Sequence, residues 1–348
     1  MEMDKQKVVA DILYPYTGRT GGTARYAQKI ISYLKTLGVS VAAHPVRKIE
    51  YSFRGKPIGG FLSQRLFSAT VRTSAPVVHA VSPNIINSRT NLVTVHDLIP
   101  FRSPELYMTN ILRKYGYMRM LSKLNDMEIV VQTQFIKQQL VEHGISENRV
   151  SVTGVSIDEK FKPTKMGNPY PQNNLKHLVT VGDFNPRKRF DIIYDAVSLS
   201  RDLELYHIGP VNGWISRYNE LRTKAIASGR IKLLGQLDDE EMIRYLTFAD
   251  IFVYLSQDEG VGLTPLEAMS CGTNVLVNNL PIFKELMGDR AFYAELTVES
   301  LSEMISFALE HRKRAVELTQ ISTRFSPVDE ARRIKAVYEK LTDRKGWN

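Results

Sequence analysis

The chain has 348 residues, 43% hydrophobic and 24% charged, with 46 Lys and Arg against 37 Asp and Glu and a net charge of +9; this is the composition of a globular protein too long for one ordinary core, so two domains are expected. The one cysteine, Cys271, excludes an internal disulfide and any Cys-based zinc site. No apolar run approaches the ~18 residues of a membrane span, and the start, Met1 to Lys7, lacks the apolar stretch of a signal peptide, so a cytoplasmic location is expected. The charge excess is confined to the first half: residues 1–160 carry 21 Lys and Arg against 12 Asp and Glu, and residues 161–348 carry 25 against 25. A basic half beside a neutral one points to an anionic partner such as acidic lipid headgroups, a phosphorylated acceptor or nucleic acid, or it serves solubility alone.

In chain order, Val8 to Tyr14 reads as a strand, and Ala24 to Leu37 as a helix with apolar residues at Ala27, Ile30, Ile31 and Leu34 that stops at Gly38. A strand resumes at Val39. Gly18, Gly21 and Gly22 fall at the first turn of this βαβ opening, where a backbone can approach a ligand closely or simply turn tightly. Residues 47–72 interleave Arg47, Lys48, Arg54, Lys56, Arg65 and Arg72 with Tyr51, Phe53, Phe61, Leu62, Leu66 and Phe67, a texture that suits a membrane surface or an amphiphilic acceptor and equally suits snorkelling cations on an ordinary helix. The run Val77 to Val81 and the run Asn91 to Val95 read as strands, the second ending in His96-Asp97, an ionisable pair where open α/β sheets keep their active sites; a core histidine is the alternative. A helix from Pro104 to Leu124 carries Arg113, Lys114, Arg119 and Lys123. A strand from Asp126 to Gln132, a helix through Val141 and the Pro- and Asn-bearing linker Lys165 to Lys176 complete the first half.

The second half opens with a strand from His177, after which Arg187 and Lys188 stand just ahead of a helix reaching Leu199; two adjacent cations there can neutralise a diphosphate without metal. Strands from Leu203 and Ile231 follow. The apolar run Ile251 to Leu255 then leads into Ser256 to Gly272, where Thr264 is placed as an N-cap, Pro265 as the first helical residue and Glu267 as the partner in a capping box. Strand, Gly-bearing loop and helix start make an anion site. Two carboxylates beside it, Glu259 and Glu267 with seven residues between them, suit a phosphate that carries sugars, since carboxylates accept paired hydroxyls. Val275 opens another strand, and a terminal helix runs from Ser326 to Leu341.

These segments resemble the retaining glycosyltransferases of the GT-B fold, in particular the large family four. Glu259 to Gly272, E-G-V-G-L-T-P-L-E-A-M-S-C-G, is similar to that family's E-x7-E stretch, with Val261 for the usual Phe, Thr264-Pro265 for Leu-Pro and Ser270 for Ala. Val93 to Pro100 resembles its V-x-V-H-D-L-x-P, Arg149 to Pro163 its P-N-G-V-D-x-x-x-F-x-P, and Ile282 to Asp289 its x-x-x-E-V-x-G-D. Gly182 to Lys188 resembles G-R-x-x-x-x-K, with Lys188 matching the Lys and Asp183 in place of the Arg, for which Arg187 is expected to compensate.

The resemblance implies an α/β protein of GT-B architecture, two Rossmann-like domains facing each other across a cleft: 1–165 for the acceptor, 166–325 for the nucleotide-sugar donor, and 326–348 crossing back as a helix to the first domain. It implies transfer of a hexosyl group with retention from a UDP- or GDP-sugar, with no cofactor and no metal. Arg187, Lys188 and amides near Gly21, Gly22 and Gly262 would meet the diphosphate, and Glu267 the ribose. Glu259 with the amides of Gly260, Val261, Gly262 and Leu263 would meet the sugar, His96 a sugar hydroxyl, and Gln236, after the strand from Ile231, would lie beside the base. The acceptor is expected to be lipid-linked or otherwise anionic, on a peripheral membrane enzyme of the inner face. No nucleic-acid motif is present, so that partner is not expected. Two alternatives stand: a nucleotide-sugar epimerase of the same fold, and a non-catalytic binding protein that uses the basic face.

Overall fold

Short runs of β-branched residues build two separate parallel sheets in a computed structural model, which describes residues 8–16, 22–47, 51–53, 56–58, 66–104, 111–211 and 215–344; for 51–53, 56–58, 111–114 and 344 it describes the backbone alone. The chain divides into Met1–Ser156 with Phe325–Asn348, and Ile157–Arg324. The last helix therefore belongs to the first unit.

In the first unit, β1 (Val9–Tyr16), β2 (Ser40–Arg47), β5 (Val77–Ala80), β6 (Leu92–Val95), β7 (Glu128–Val131) and β8 (Val150–Val152) form one sheet in the order β2-β1-β5-β6-β7-β8, every pair parallel. β3 (Tyr51–Phe53) and β4 (Lys56–Ile58) make a separate antiparallel ribbon. β5, β6 and β7 are buried along their whole length, as strands covered on both faces must be. The helix Gly22–Thr36 buries Ala24, Tyr26, Ala27, Ile30, Ile31 and Leu34, against β1, β2 and the terminal helix Pro327–Arg344. Burying each large aliphatic or aromatic side chain here contributes about 1.5–3 kcal/mol.

The second unit holds β9 (Lys176–Val181), β10 (Leu203–Ile208), β11 (Ile231–Gly235), β12 (Ile251–Tyr254), β13 (Val275–Asn278) and β14 (Phe292–Ala294) in the order β11-β10-β9-β12-β13-β14, again all parallel. Its core joins Leu178, Leu205, Ile251, Val253 and Leu276 of the strands to Phe190, Ile193, Tyr194 and Val197 of the helix Phe190–Leu199 and to Leu301, Ile305 and Ala308 of the helix Val298–Glu310. The order of winding reverses between β9 and β12. Loops leaving two such strands diverge to opposite faces and open a crevice at their carboxyl ends, the position where sheets of this kind take ligands. Among the described residues no helix is long and apolar enough to cross a membrane.

Candidate functional site

The loop after β9 is shaped by local hydrogen bonds. Asn185 accepts from the Arg187 amide at 3.0 Å and caps the short turn Pro186–Lys188, and Arg189, at φ 43°, redirects the chain into the helix Phe190–Leu199. Gly182 leaves room for the lysine: a Cβ there would lie 2.7 Å from Lys188 Nζ. That ammonium stands 3.7 Å from Asp183 Oδ1 and 5.3 Å from the centroid of the Tyr254 ring. Behind it, His207 Nε2 donates to Gly182 O at 2.9 Å while Nδ1 accepts from the Tyr194 hydroxyl at 2.7 Å. Burial, reinforced by the Lys188 charge, pushes His207 down to about 4, so the ring is neutral and orders the loop's first carbonyl.

The loop after β12 is tied to that first loop by one arginine. Arg187 Nη1 lies 2.5 Å from Glu259 Oε1 and donates to Ser256 Oγ at 2.9 Å and to Asp258 O. The Gln257 amide donates to Arg187 O at 2.8 Å, the Ser256 amide to Asn278 Oδ1 at 2.8 Å, and the Tyr254 hydroxyl to Glu259 Oε1 at 2.7 Å. Arg187 is 9% exposed and Glu259 7%. The arginine that the sequence offers as an open second cation for a diphosphate is thus the internal counter-ion of the loop carboxylate.

The helix that follows starts earlier than the capping box requires. It spans Leu263–Ser270, with Gly262 at the N-cap in the left-handed region (φ 71°) and no side-chain cap, so Thr264 is the second helical residue, Pro265 the third and Glu267 the fifth. The glycine decides this: its positive φ turns the chain into the helix two residues before Thr264, and Pro265 is tolerated because a first-turn amide has no helical acceptor. Gly272 (φ 87°) closes the helix as expected. Cys271 is buried and its thiol is pushed up to about 12 by burial, which suits packing and not nucleophilic attack.

Asp183, Arg187, Lys188, Glu259, Gly260, Val261, Gly262, Leu263 and Glu267 thus all lie on the two chain segments that leave β9 and β12. Gln236 stands apart, exposed just past β11 at the sheet edge. Sequence reasoning missed Tyr254, Ser256, Asn278 and His207. Tyr254 and His207 sit inside strand-like runs where their polar atoms leave no pattern, and Asn278 follows an apolar run; only Ser256, first after a strand, carried a positional signal.

In the first unit, Gly18 and Gly21 lie outside the described residues, and Gly22 opens its helix. His96 follows β6, half-buried, with Nε2 3.0 Å from Val81 O, Nδ1 3.2 Å from Gln132 Oε1, and the Tyr26 ring edge-on at 4.7 Å between centroids. Burial holds its pKa below the usual histidine value. Asp97 turns its carboxylate to the Ile99 amide at 3.1 Å. Of the basic segment, Lys48, Arg54, Phe61, Leu62 and Arg65 lie outside the described residues and Tyr51, Phe53 and Lys56 are described by backbone alone, whereas Arg47, Leu66, Phe67 and Arg72 are exposed. On the helix Ile111–Leu124, Arg119 and Lys123 are exposed, and Arg113 and Lys114 are described by backbone alone.

Two parallel α/β sheets with a reversal of winding in each, and a terminal helix returned to the first unit, define the GT-B glycosyltransferase fold. The likeness extends over the chain: sucrose-phosphate synthase from Thermosynechococcus elongatus superposes with a TM-score of 0.79 at 15% identity, covering 97% of this chain and 100% of that one, and Anabaena Alr3699/HepE in complex with UDP-glucose with 0.70 at 16%, covering 94% and 98%. Residues 162–325 match the family model described as "Glycosyl transferases group 1", and the chain carries a glycosyltransferase domain of that group. The serotype-specific mannosyltransferase WbdA of Escherichia coli is 25% identical over 255 residues, a match that spans 61% of this chain and 31% of WbdA.

Proposed function

We propose that the chain is a retaining glycosyltransferase of family four that moves a hexosyl group from a UDP- or GDP-sugar to an acceptor hydroxyl without a metal ion, with residues 166–325 serving the donor and residues 1–165 the acceptor. The observation that carries this reading is the convergence of Lys188, two carboxylates and a helix start on the loops at the β9/β12 switch point. In transfer from a diphosphate leaving group the protein's main task is to stabilise departing negative charge. Lys188 and the amides of Gly260 to Leu263 take that task, and the amides near Gly21 and Gly22 are assigned to the same diphosphate. Glu267 holds the ribose hydroxyls, Glu259 the sugar, Gln236 the base, and His96 a hydroxyl of the transferred sugar. Arg187 acts through Glu259, whose charge it balances and whose carboxylate it orients. WbdA, a mannosyltransferase by name, and HepE, which binds UDP-glucose, make GDP-mannose and UDP-glucose the first donors to try.

The test is a thermal-shift screen of UDP-, GDP- and ADP-sugars followed by donor hydrolysis in chelator, with the anomeric configuration of the product read by NMR. Stabilisation by no nucleotide sugar sinks the reading, and formation of a donor epimer without acceptor replaces it by epimerase. Within the same assay, Glu267→Ala is expected to weaken donor binding by about ten- to a hundredfold, since each lost charge-assisted hydrogen bond is worth about 1.5–3 kcal/mol. Unchanged donor affinity in that variant would mean Glu267 serves the helix alone.

The basic first half is proposed to dock on an anionic membrane and so to meet a lipid-linked or anionic acceptor. Each cation at such a surface adds about 1 kcal/mol, and only those within the ~8 Å screening length take part. Sedimentation with phosphatidylserine vesicles at low salt is expected to bring the protein down, and with neutral vesicles to leave it in solution; failure with both rules the surface out.

A further inference from the structure

The helix Pro327–Arg344 carries a carboxyl group into the hydrogen-bond chain that ends on His96. Glu330 is 1% exposed. One of its oxygens accepts from Ser156 Oγ and the other from Gln132 Nε2 at 3.4 Å; Gln132 Oε1 lies 3.2 Å from His96 Nδ1, and His96 Nε2 lies 3.0 Å from Val81 O. In this arrangement both ring nitrogens face acceptors, and both are satisfied only when both carry hydrogen, by an imidazolium opposite an ionised Glu330. A half-turn of the Gln132 amide exchanges its oxygen and nitrogen in place. The chain is then satisfied differently: protonated Glu330 donates to the amide oxygen, the amide donates to Nδ1, and a neutral His96 donates from Nε2 to Val81 O. The two arrangements hold the same number of protons, the one leaving Nδ1 being the one gained by the carboxyl.

We propose that Glu330 is a positioning residue for His96, which through Gln132 decides whether the ring is an imidazolium or the neutral Nε2–H form, imidazole and carboxyl sharing one proton. The groups that face the pair agree with this. Burial pushes Glu330 up to about 6 against the opposing pull of Lys29, Ser156, Gln132 and Tyr26, and burial pushes His96 down, so neither charge is favoured by itself. His79, bonded to Tyr338 of the same helix at 2.8 Å and to Thr94 at 2.7 Å, is pushed down to about 3 by burial and by His96, and stays neutral. Asp97, exposed beside His96, favours the imidazolium. The geometry stands without a substrate; its consequence for turnover rests on the reading of His96 as a contact of the transferred sugar.

The test is tautomer-sensitive NMR of the full-length chain with 15N-labelled histidine rings, His96 being assigned by His96→Asn. Glu330→Gln presents a permanent N–H where the protonated carboxyl donates, and keeps an oxygen for Ser156. It is expected to hold His96 in the Nε2–H form and to lower its titration midpoint by about one pH unit or more, the size that defines a coupled pair. The same tautomer and midpoint in both proteins overturn the proposal. Gln132→Leu removes the link, and adding Glu330→Gln to it is expected to change the His96 midpoint no further; a remaining shift as large as in the single variant also overturns it. A changed tautomer with an unchanged pH–rate profile keeps the proton sharing and removes His96 from the chemistry, so the two readings fail separately.

Discussion

Arg187→Ala is expected to lower the unfolding free energy by about 3–5 kcal/mol, because it leaves the Glu259 carboxylate buried without its counter-ion. The pair is 2.5 Å apart, and the same guanidinium also holds Ser256 and Asp258 of the loop after β12, so the loss disorganises one wall of the crevice as well. Lys188→Ala should behave in the opposite way. Its ammonium rests beside Asp183 and over the Tyr254 ring, and its removal leaves no buried charge, so the midpoint of urea unfolding stays near that of the parent while turnover falls by about 10²–10³-fold, the usual cost of deleting one stabiliser of transition-state charge. Substituting Arg187→Met together with Glu259→Leu restores most of the stability, since an apolar pair of similar volume replaces a buried ion pair at little cost, and does not restore transfer. Urea unfolding of the four proteins, followed by a probe in Ile157–Arg324, separates these outcomes. A parent-like midpoint for Arg187→Ala would mean that the ion pair does not hold the loop.

Gly262→Ala is the second substitution with a large expected effect. At φ 71° a non-glycine residue costs about 1–2 kcal/mol, and a Cβ there would come within 2.6 Å of Phe283 Cε1. Relief requires the buried Phe283 ring or the helix Leu263–Ser270 to move, and movement of the helix displaces the amides and Glu267 that the proposed donor needs. Donor affinity is expected to fall tenfold or more, each tenfold being about 1.4 kcal/mol. Adding Phe283→Leu removes the clash and leaves the backbone strain, so the double variant should recover part of the affinity. No recovery would show that the torsion alone sets the position of the helix.

The alternation of short β-branched runs with helical periodicity determined the α/β class and both parallel sheets, because a strand covered on two faces must be apolar throughout, as Ile251 to Tyr254 is. The loop residues around Lys188 and Glu259 were legible for a similar reason: a glycine-bearing loop between an apolar strand and a helix marks a carboxyl edge wherever it occurs. Thr264 misled because Ser, Thr and Asp at the head of a periodic segment signal an N-cap only when no upstream glycine turns the chain first, as Gly262 does here at φ 71°. The union of Arg187 with Glu259 was equally hidden. Two charges on separate loops read as independent contacts for a substrate until the strand order sets β9 beside β12 and makes the arginine the carboxylate's counter-ion. Glu330 is the extreme case: an acid in the first turn of a helix reads as a solvated partner of the helix dipole, and only the return of that helix to the first unit buries it against Gln132, a residue 198 positions away. Periodicity and turn chemistry act over a few residues, so they specify elements and edges. Which charges pair with each other is settled by long-range packing, and the tertiary structure alone decided it.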